Sequence, residues 1–516
     1  MEEEKKKIDW SNLWKSEDWL AVWVGFLIIV VMLAGVSLKL PKFKWTTDAE
    51  FSSFISGTTP SVEKLITTSA DKNEPLLREA LFALRTTIDT KDRAAITQAS
   101  KNAEEVAKGV QDADLKKKSG KLTKSISDEG GNLPANVTSG KNISYVLLVG
   151  VIYLIISMIA MALMGENAAS FVKGFPIVFA ITLIAQFIAG NYTVLYYGLE
   201  YVIWCLALGL IISNVIGLPD WMKAAVKTEF FIKTGVVVLG SGILFKEIIT
   251  AGAYGIMQAA LVVIVVWYAC FWFARKLKVD DDFAAILSSA VSICGVSAAI
   301  ATAGAIKGDP KKLSYVTSIV LICAIPMLIL QPIIARMVGM PDIVAGAWLG
   351  GTLDTSGSVV AAGALISEQA MKTGVIVKMS QNVLIGLAAF ILSIVWALKS
   401  CEVGTGIEKK PRAMEIWNRF PKFVLGFIIA SIIFSFMVSP ATIDATKGSL
   451  GGLRTWWFAL AFTSIGLETN FKDLANLGGG RPAIAFVAAQ GFNIVWTLLL
   501  AYLLFGGIIF PVPNIK

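Results

Sequence analysis

Gly350-Gly-Thr-Leu-Asp354-Thr-Ser-Gly-Ser358 sits in the middle of an apolar block, Ile343–Ile366. A helix facing lipid would hold leucine or isoleucine there. Glycine and hydroxyl residues around one aspartate instead point to a helix that breaks halfway through a membrane. Such a break is tolerated only where the freed backbone lines a cavity or is held by protein. An aspartate near the bilayer centre costs about 3 kcal/mol on insertion scales, so Asp354 is read as facing a polar space and handling an ion or proton. The bland reading is a carboxylate that caps a half-helix, and the two are compatible.

A second block of the same kind precedes it. Phe283–Ile306 contains Ser288, Ser289 and then Ser292-Ile-Cys294-Gly295-Val-Ser297. For Ser288 and Ser289 the preferred reading is helix packing, with each hydroxyl bonded back to the preceding turn. For Ser292, Cys294, Gly295 and Ser297 a binding role is preferred, as it is for Thr352, Thr355, Ser356, Gly357 and Ser358. Half-helix N-termini present bare N–H groups and partial positive charge to an anion, and half-helix C-termini present carbonyls to a cation. A third polar group, Lys378, Ser380, Gln381 and Asn382, lies on the next span. Lys378 and Asn382 are four apart and share a helix face. Lys378 could supply positive charge for an anion and is, with Asp354, a candidate ion-coupling residue, and Asn382 is a candidate substrate ligand. The competing expectation is that Lys378 snorkels to the interface.

The rest of the 516 residues sets these motifs in a membrane. Hydrophobic residues make up 55% and charged residues 16% of the chain, and the mean hydropathy is +0.67. Soluble domains are nearer a quarter charged. The apolar excess falls in blocks of about 15–25 residues, the length that crosses about 30 Å of hydrocarbon as helix. Spans are expected near 20–38, 144–164, 175–189, 200–216, 229–245, 253–273, 283–306, 313–337, 342–366, 371–398, 422–438, 455–470 and 482–510. The fold class is thus an all-α polytopic membrane protein of about 11–13 transmembrane helices. The net charge of +8 does not indicate nucleic acid, because the basic residues lie mainly at span ends. Lys5–Lys7, Arg275, Lys276, Lys278, Lys399, Lys409, Lys410, Arg412 and Arg419 place the N-terminus in the cytoplasm of a multi-pass inner-membrane protein. Lys307, Lys311 and Lys312 disagree, which requires a re-entrant neighbour or a span count wrong by one.

Three domains are expected: an N-terminal tail and retained anchor over 1–41, a soluble helical module over 42–143 outside the cytoplasm, and the polytopic domain over 144–516. In the module, Leu65, Leu76, Leu77, Leu81 and Leu84 recur at helical spacing, giving two or three amphipathic helices over 61–126. The module reads equally as a spacer, a sensor or a gate. A weak internal repeat matches Gly240–Glu247 to Gly466–Asp473, with aromatic pairs ten residues before each glycine (Phe230/Phe231 and Trp456/Trp457). Weak self-similarity of this kind marks duplicated halves in secondary transporters.

The chain has no histidine, so the commonest metal ligand and neutral-pH base is absent. Cys205, Cys270, Cys294 and Cys323 lie in apolar blocks and Cys401 in a short basic loop. No pair has metal-ligand or disulfide spacing, and no metal or cofactor is expected beyond an H⁺ or Na⁺ coupling ion. An enzyme is not expected, because Cys294 and the serines lack a histidine partner.

At its two glycine-hydroxyl motifs the chain resembles the YeiH-type sulfate exporter family of bacterial inner-membrane proteins. The resemblance runs from about Tyr145 to the C-terminus and is densest in Ser292–Thr302, Gly350–Gly363 and Val377-Lys378-Met379. Many family members carry a histidine followed by an acidic residue where this chain has Asp354-Thr355, so the proton chemistry at that position differs. The first 140 residues lie outside the usual family pattern. The family in turn is similar to cation–proton antiporters and bile-acid-type symporters. That likeness implies inverted repeats, two crossed broken helices, a homodimer and elevator-like movement. The function expected is ion-coupled transport of a small inorganic or sulfonated anion. The alternatives are a cation–proton antiporter and a membrane sensor whose extracytoplasmic module binds ligand.

Overall fold

The computed structural model describes residues 11–402, 420–469 and 480–515, except Ser37, Gly198 and Leu244. Among them the regular elements are all helices. Lys409, Lys410, Arg412, Arg419 and the second repeat copy's Phe471–Asp473 lie outside the described residues, as does the side chain of Cys401. The chain divides into two compact units. One comprises 39–152 with 183–204, and the other comprises 1–38, 153–182 and 205–516.

In the first unit, α1 of the module is Asp48–Asp71, followed by α2 (Pro75–Asp89), α3 (Arg93–Lys108) and α4 (Ala113–Gly131). There are four helices, not two or three, because each has its own start signal. Thr47 and Glu50 close a capping box, Pro75 opens α2, and Asp92 and Asp112 accept from the backbone at the starts of α3 and α4; these side chains satisfy N–H groups that a helix end leaves free. Phe51, Ile55, Leu65, Leu77, Leu81, Leu84, Ile96, Leu115 and Ile126 form the core. Leu76, expected among them, stands 72% exposed, one position off the buried stripe. Arg93 ties the helix ends together by donating to the carbonyls of Thr46, Glu129, Gly130 and Asn132. Within the same unit Trp45 stacks on Phe187 at 5.1 Å, and Glu50 accepts from the Asn191 amide and the Thr193 hydroxyl.

The second unit holds the site. Its helices begin with α5 (Glu17–Leu33) and include α6 (Thr228–Gly240), α7 (Phe245–Lys276), α8 (Asp281–Ser289), α9 (Val296–Ile306), α10 (Pro310–Met337), α11 (Asp342–Thr352), α12 (Ser356–Ile366), α13 (Glu368–Glu402), α14 (Lys422–Phe436), α15 (Pro440–Glu468) and α16 (Arg481–Phe505). Every expected span contains helix. Among the described residues of both units, six helices are long and apolar enough to cross a bilayer: Gly140–Leu163, Ala168–Ala189, Phe245–Lys276, Lys311–Met337, Glu368–Trp396 and Arg481–Phe505. The number falls short of 11–13 partly because the two interrupted blocks give half-helices. At 1.5 Å per residue the 11-residue α9 and α12 reach about 17 Å each.

Both interrupted blocks break as their glycines and hydroxyls suggest, and each then folds back on itself. α8 runs into a π-turn, Ala290–Cys294, and the chain reverses at Gly295 (φ 61°, ψ −116°) before α9. Lys312, just past α9, pairs with Asp280, just before α8, at 2.6 Å. A Cβ on Gly308 would lie 2.9 Å from Ile286, and Tyr315 meets Phe283 edge-on at 5.5 Å. A helix that continued across the membrane would hold Ile286 and Gly308 roughly 30 Å apart. The second block turns at Leu353–Thr355. Gly346 and Gly350 of α11 pack on Ala370 and Gly374 of α13 in the same chain direction, whereas Gly363 and Val359 of α12 pack on Met371 and Gly374 in the reverse direction. Arg336, before α11, donates to the Ile366 carbonyl at the end of α12 at 3.4 Å. The two re-entrant hairpins enter from opposite ends of the unit, as inverted halves would. The aromatic pairs of the repeat pack together, with Phe230 and Phe231 at 5.9 and 5.8 Å from Trp457.

Candidate functional site

The 35-residue α13 is the spine against which both hairpins lie. Hairpin 2 (α11–α12) covers its first half. Hairpin 1 (α8–α9) covers its second half, with Trp396 donating to Asp282 at 2.7 Å and Ala298 and Ala301 packed on Ile385 and Ala389. The tips therefore meet at mid-helix, beside Lys378–Asn382. Gly295 is the point of closest approach: a Cβ there would lie 3.1 Å from the Asp354 backbone oxygen and Cβ, and 2.6 Å from Val320. Positive φ and this crowding together admit only glycine.

Side chains of α13 bind each tip. The Lys378 ammonium donates to the Ile293 carbonyl at 2.8 Å and to Gln381 Oε1 at 2.7 Å. The Gln381 amide donates to the Ser292 carbonyl at 2.7 Å. These two carbonyls are left over where the π-turn ends, and an unpaired carbonyl in a dry interior costs free energy comparable to a lost hydrogen bond. On the other side, Asn382 Nδ2 donates to Ser356 Oγ at 3.2 Å. Lys378 is 1% exposed. It does not snorkel, because the Ile293 carbonyl and Gln381 Oε1 accept from it inside the protein.

Asp354 is 2% exposed, its Oδ2 has no hydrogen-bond partner, and its charge interacts with that of Lys378. It stands behind the tips and not in the cavity wall. The cap of α12 is Thr355, whose Oγ1 accepts from the Ser358 N–H at 3.1 Å and pairs with the Ser358 hydroxyl at 2.7 Å. The capping alternative for Asp354 is therefore replaced by Thr355.

A cavity of about 1030 Å³ opens in front of the tips. Cys294, Ser297, Thr355, Ser356, Gly357, Ser358 and Asn382 line it. The N-termini of α9 and α12 both face this space, and together their free N–H groups and dipoles present positive potential there. The cavity extends to an end carrying Glu17, Asp18, Lys227, Glu229, Lys233 and Glu468. There Lys233 pairs with Glu17 at 2.5 Å, Asp18 at 2.9 Å and Glu229 at 3.7 Å.

Two expected ligands are turned away from the cavity. Ser292 bonds back to the Ser288 carbonyl at 2.7 Å. Thr352 bonds to the Trp348 carbonyl at 2.8 Å and to Gln331 Oε1 at 3.1 Å, while its own carbonyl accepts from Gln490 at 2.9 Å. Ser288 bonds back to Ala284, as the packing reading has it, and Ser289 accepts from the Trp267 indole at 3.1 Å. Gln381 was legible beside Lys378 as part of the same polar group. Gln331, Gln490 and the charged mouth come from distant parts of the chain, and no spacing could have brought them to the site.

With this geometry in place, the chain can be set beside known proteins. A family model described as conserved hypothetical protein 698 matches residues 173–485, a range that contains both hairpins and α13. A UPF0324 membrane protein of Rhodopirellula baltica is 36% identical over 512 residues, covering 96% of this chain and 91% of that one. The chain belongs to the UPF0324 membrane protein family. A UPF0324 protein of Nitratidesulfovibrio vulgaris is 41% identical over 366 residues, 68% of this chain and 62% of its own length, and one of Nitrosomonas europaea is 33% identical over 64% and 77%. The Rhodopirellula match is long enough to take in the N-terminal module, whereas the family model begins at residue 173, so the module lies outside the segment that the family model describes. No solved structure matches the chain.

Proposed function

We propose that this UPF0324 protein is a secondary active transporter of a small anion, coupled to H⁺ or Na⁺. The observation that carries the reading is the meeting of two hairpin tips midway along α13, with two half-helix N-termini facing one cavity and a buried carboxyl, its Oδ2 without a hydrogen-bond partner, directly behind them. Nothing in an ordinary helix bundle requires backbone to be left unpaired there. Asp354 and Lys378 are the coupling pair. Cys294, Ser297, Thr355, Ser356, Gly357, Ser358 and Asn382 contribute the substrate wall, and Gly295 the tip geometry. Alternating access is elevator-like movement of the hairpins with α13, in a homodimer, and the protein is not an enzyme.

Hairpin 1 supports the orientation. It returns Lys307, Lys311 and Lys312 to the end that carries Arg275, Lys276 and Lys278, which removes the disagreement in the basic-residue pattern. That end is then cytoplasmic, together with the N-terminus, in the inner membrane, and the module lies outside the cytoplasm. The YeiH-type likeness makes sulfate and related sulfur oxyanions the first substrates to try.

One observation favours a cation–proton antiporter as second reading: Lys378 is buried beside Asp354, the carboxylate–lysine pair such sites use. A thermal-shift screen of the purified protein separates the two. A ligand that binds only the native state raises stability by about 2.7 kcal/mol at a hundred times its Kd. Anions are expected to raise the melting temperature at constant Na⁺ and K⁺. A shift with alkali cations alone, indifferent to the anion, would transfer the assignment to the antiporter.

A further inference from the structure

The cavity restricts the ligand by charge number and by shape as well as by sign. We infer that the substrate is a singly charged organic anion, a sulfonate-type head on a short apolar body, and not a bare doubly charged oxyanion such as sulfate. The inference rests on the anion-transport reading above.

Three observations converge on it. The first is the positive charge available. The N-termini of α9 and α12 each contribute about half an elementary charge, sufficient for one negative charge. Lys378 is directed behind the tips, onto the Ile293 carbonyl and Gln381. Among the described residues no lysine or arginine lines the cavity beside the tips. Lys227 and Lys233 stand at the mouth, already paired with Glu166 and with Glu17, Asp18 and Glu229. The mouth itself has four carboxyl groups, Glu17, Asp18, Glu229 and Glu468, beside those two ammonium groups, so its positive charge is already matched. A dianion would need a second positive charge that neither the tips nor the mouth supplies.

The second observation is the division of the walls. Away from the mouth, the polar groups are those of the tips, Asn382, and Thr317 and Ser318 of α10. Opposite and beside them stand Ile300, Leu321, Ile325, Ile385 and Ile465. Sulfate is hydrophilic on every side and gains nothing from such a wall, and 1030 Å³ far exceeds the space it needs. An alkyl chain fills the wall and is drawn out of water by it.

The third is Asn382. It lines the cavity, is 3% exposed, and has a buried Oδ1 with no partner. Turned over, its amide keeps a bond to the Ser356 hydroxyl, which can donate as well as accept, and presents its NH₂ to a head-group oxygen. One buried amide between two helix N-termini suits a small head, with the rest of the ligand elsewhere.

The test is a calorimetric titration of the purified full-length protein with methane-, ethane-, propane- and butanesulfonate and with sulfate, as sodium salts at matched ionic strength. Each added methylene is expected to tighten binding about fourfold, the equivalent of about 0.8 kcal/mol, with butanesulfonate at least tenfold tighter than sulfate. Leu321→Ser and Ile325→Ser are each expected to flatten the chain-length gradient. Sulfate binding as tightly as butanesulfonate, or an affinity indifferent to chain length, overturns the inference and leaves the anion reading intact. Failure of every anion, sulfate included, overturns both.

Discussion

Gly295 and Lys378 are the two residues on which the site's geometry depends most directly. At φ 61° and ψ −116° a side chain is strained by about 1–3 kcal/mol, and an alanine Cβ would have to displace Val320 and the Asp354 backbone. Gly295→Ala is therefore expected to abolish ligand-induced thermal stabilisation while the helix content measured by circular dichroism persists. Unchanged ligand binding in that variant would separate the tip from the site. Lys378→Met removes the bonds to the Ile293 carbonyl of hairpin 1 and to Gln381 of α13 and leaves Asp354 without its counter-charge. Each buried acceptor left without its donor costs about 1–3 kcal/mol, so a fall in melting temperature of several degrees is expected, and Asp354→Asn in the same chain should recover part of it. Asp354 was legible in the sequence, because an acid in the centre of an apolar block has few explanations. The burial of Lys378 was not, because a lysine's long stem permits either snorkelling or inward pairing, and only the location of the free carbonyls of Ser292 and Ile293 decides between them.

At the level of elements, glycine and hydroxyl residues in mid-block announce a break, but they do not say whether the chain then continues or returns. That choice depends on what the second half-helix packs against, and the packing of Ala298 and Ala301 on Ile385 and Ala389 is a contact between segments more than 80 residues apart. The anomalous lysines were the one sign of it in the sequence. If hairpin 1 is re-entrant, the loops on its two sides share one face of the membrane. In a background lacking the native cysteines, Lys278→Cys and Lys311→Cys, both at exposed positions, are expected to react with a membrane-impermeant thiol reagent from the same side. Labelling from opposite sides would show that the segment crosses. Module helices were better signalled, since each has a cap or proline at its start, and the single misplaced leucine, Leu76, neighbours the buried Leu77.

On the scale of the whole molecule, the two units make separable demands. In the unit that holds the module, partial burial raises the Glu50 pKa, but hydrogen bonds from Thr193, Thr47 and Asn191 outweigh this and bring it down to about 2. A carboxyl whose folded pKa is depressed adds stability that is complete above its unfolded value near 4.5 and is lost as pH falls through about 2. After allowance for solvent screening the effect is about 1 kcal/mol. Glu50→Gln should accordingly lower module stability at pH 7 and make hydrogen exchange in 48–71 less sensitive to pH between 5 and 2; an unaltered acid profile would assign the acid response to other groups. The proposal for the other unit is that flux of an anion is tied to Asp354 behind the hairpin tips. The decisive measurement is uptake of a labelled sulfonate or sulfate into proteoliposomes, driven by an imposed pH or Na⁺ gradient, for the native chain and for Asp354→Asn of equal melting temperature. Gradient-driven accumulation by the native protein and its loss in the variant is the predicted result. Equal accumulation by both would contradict the account.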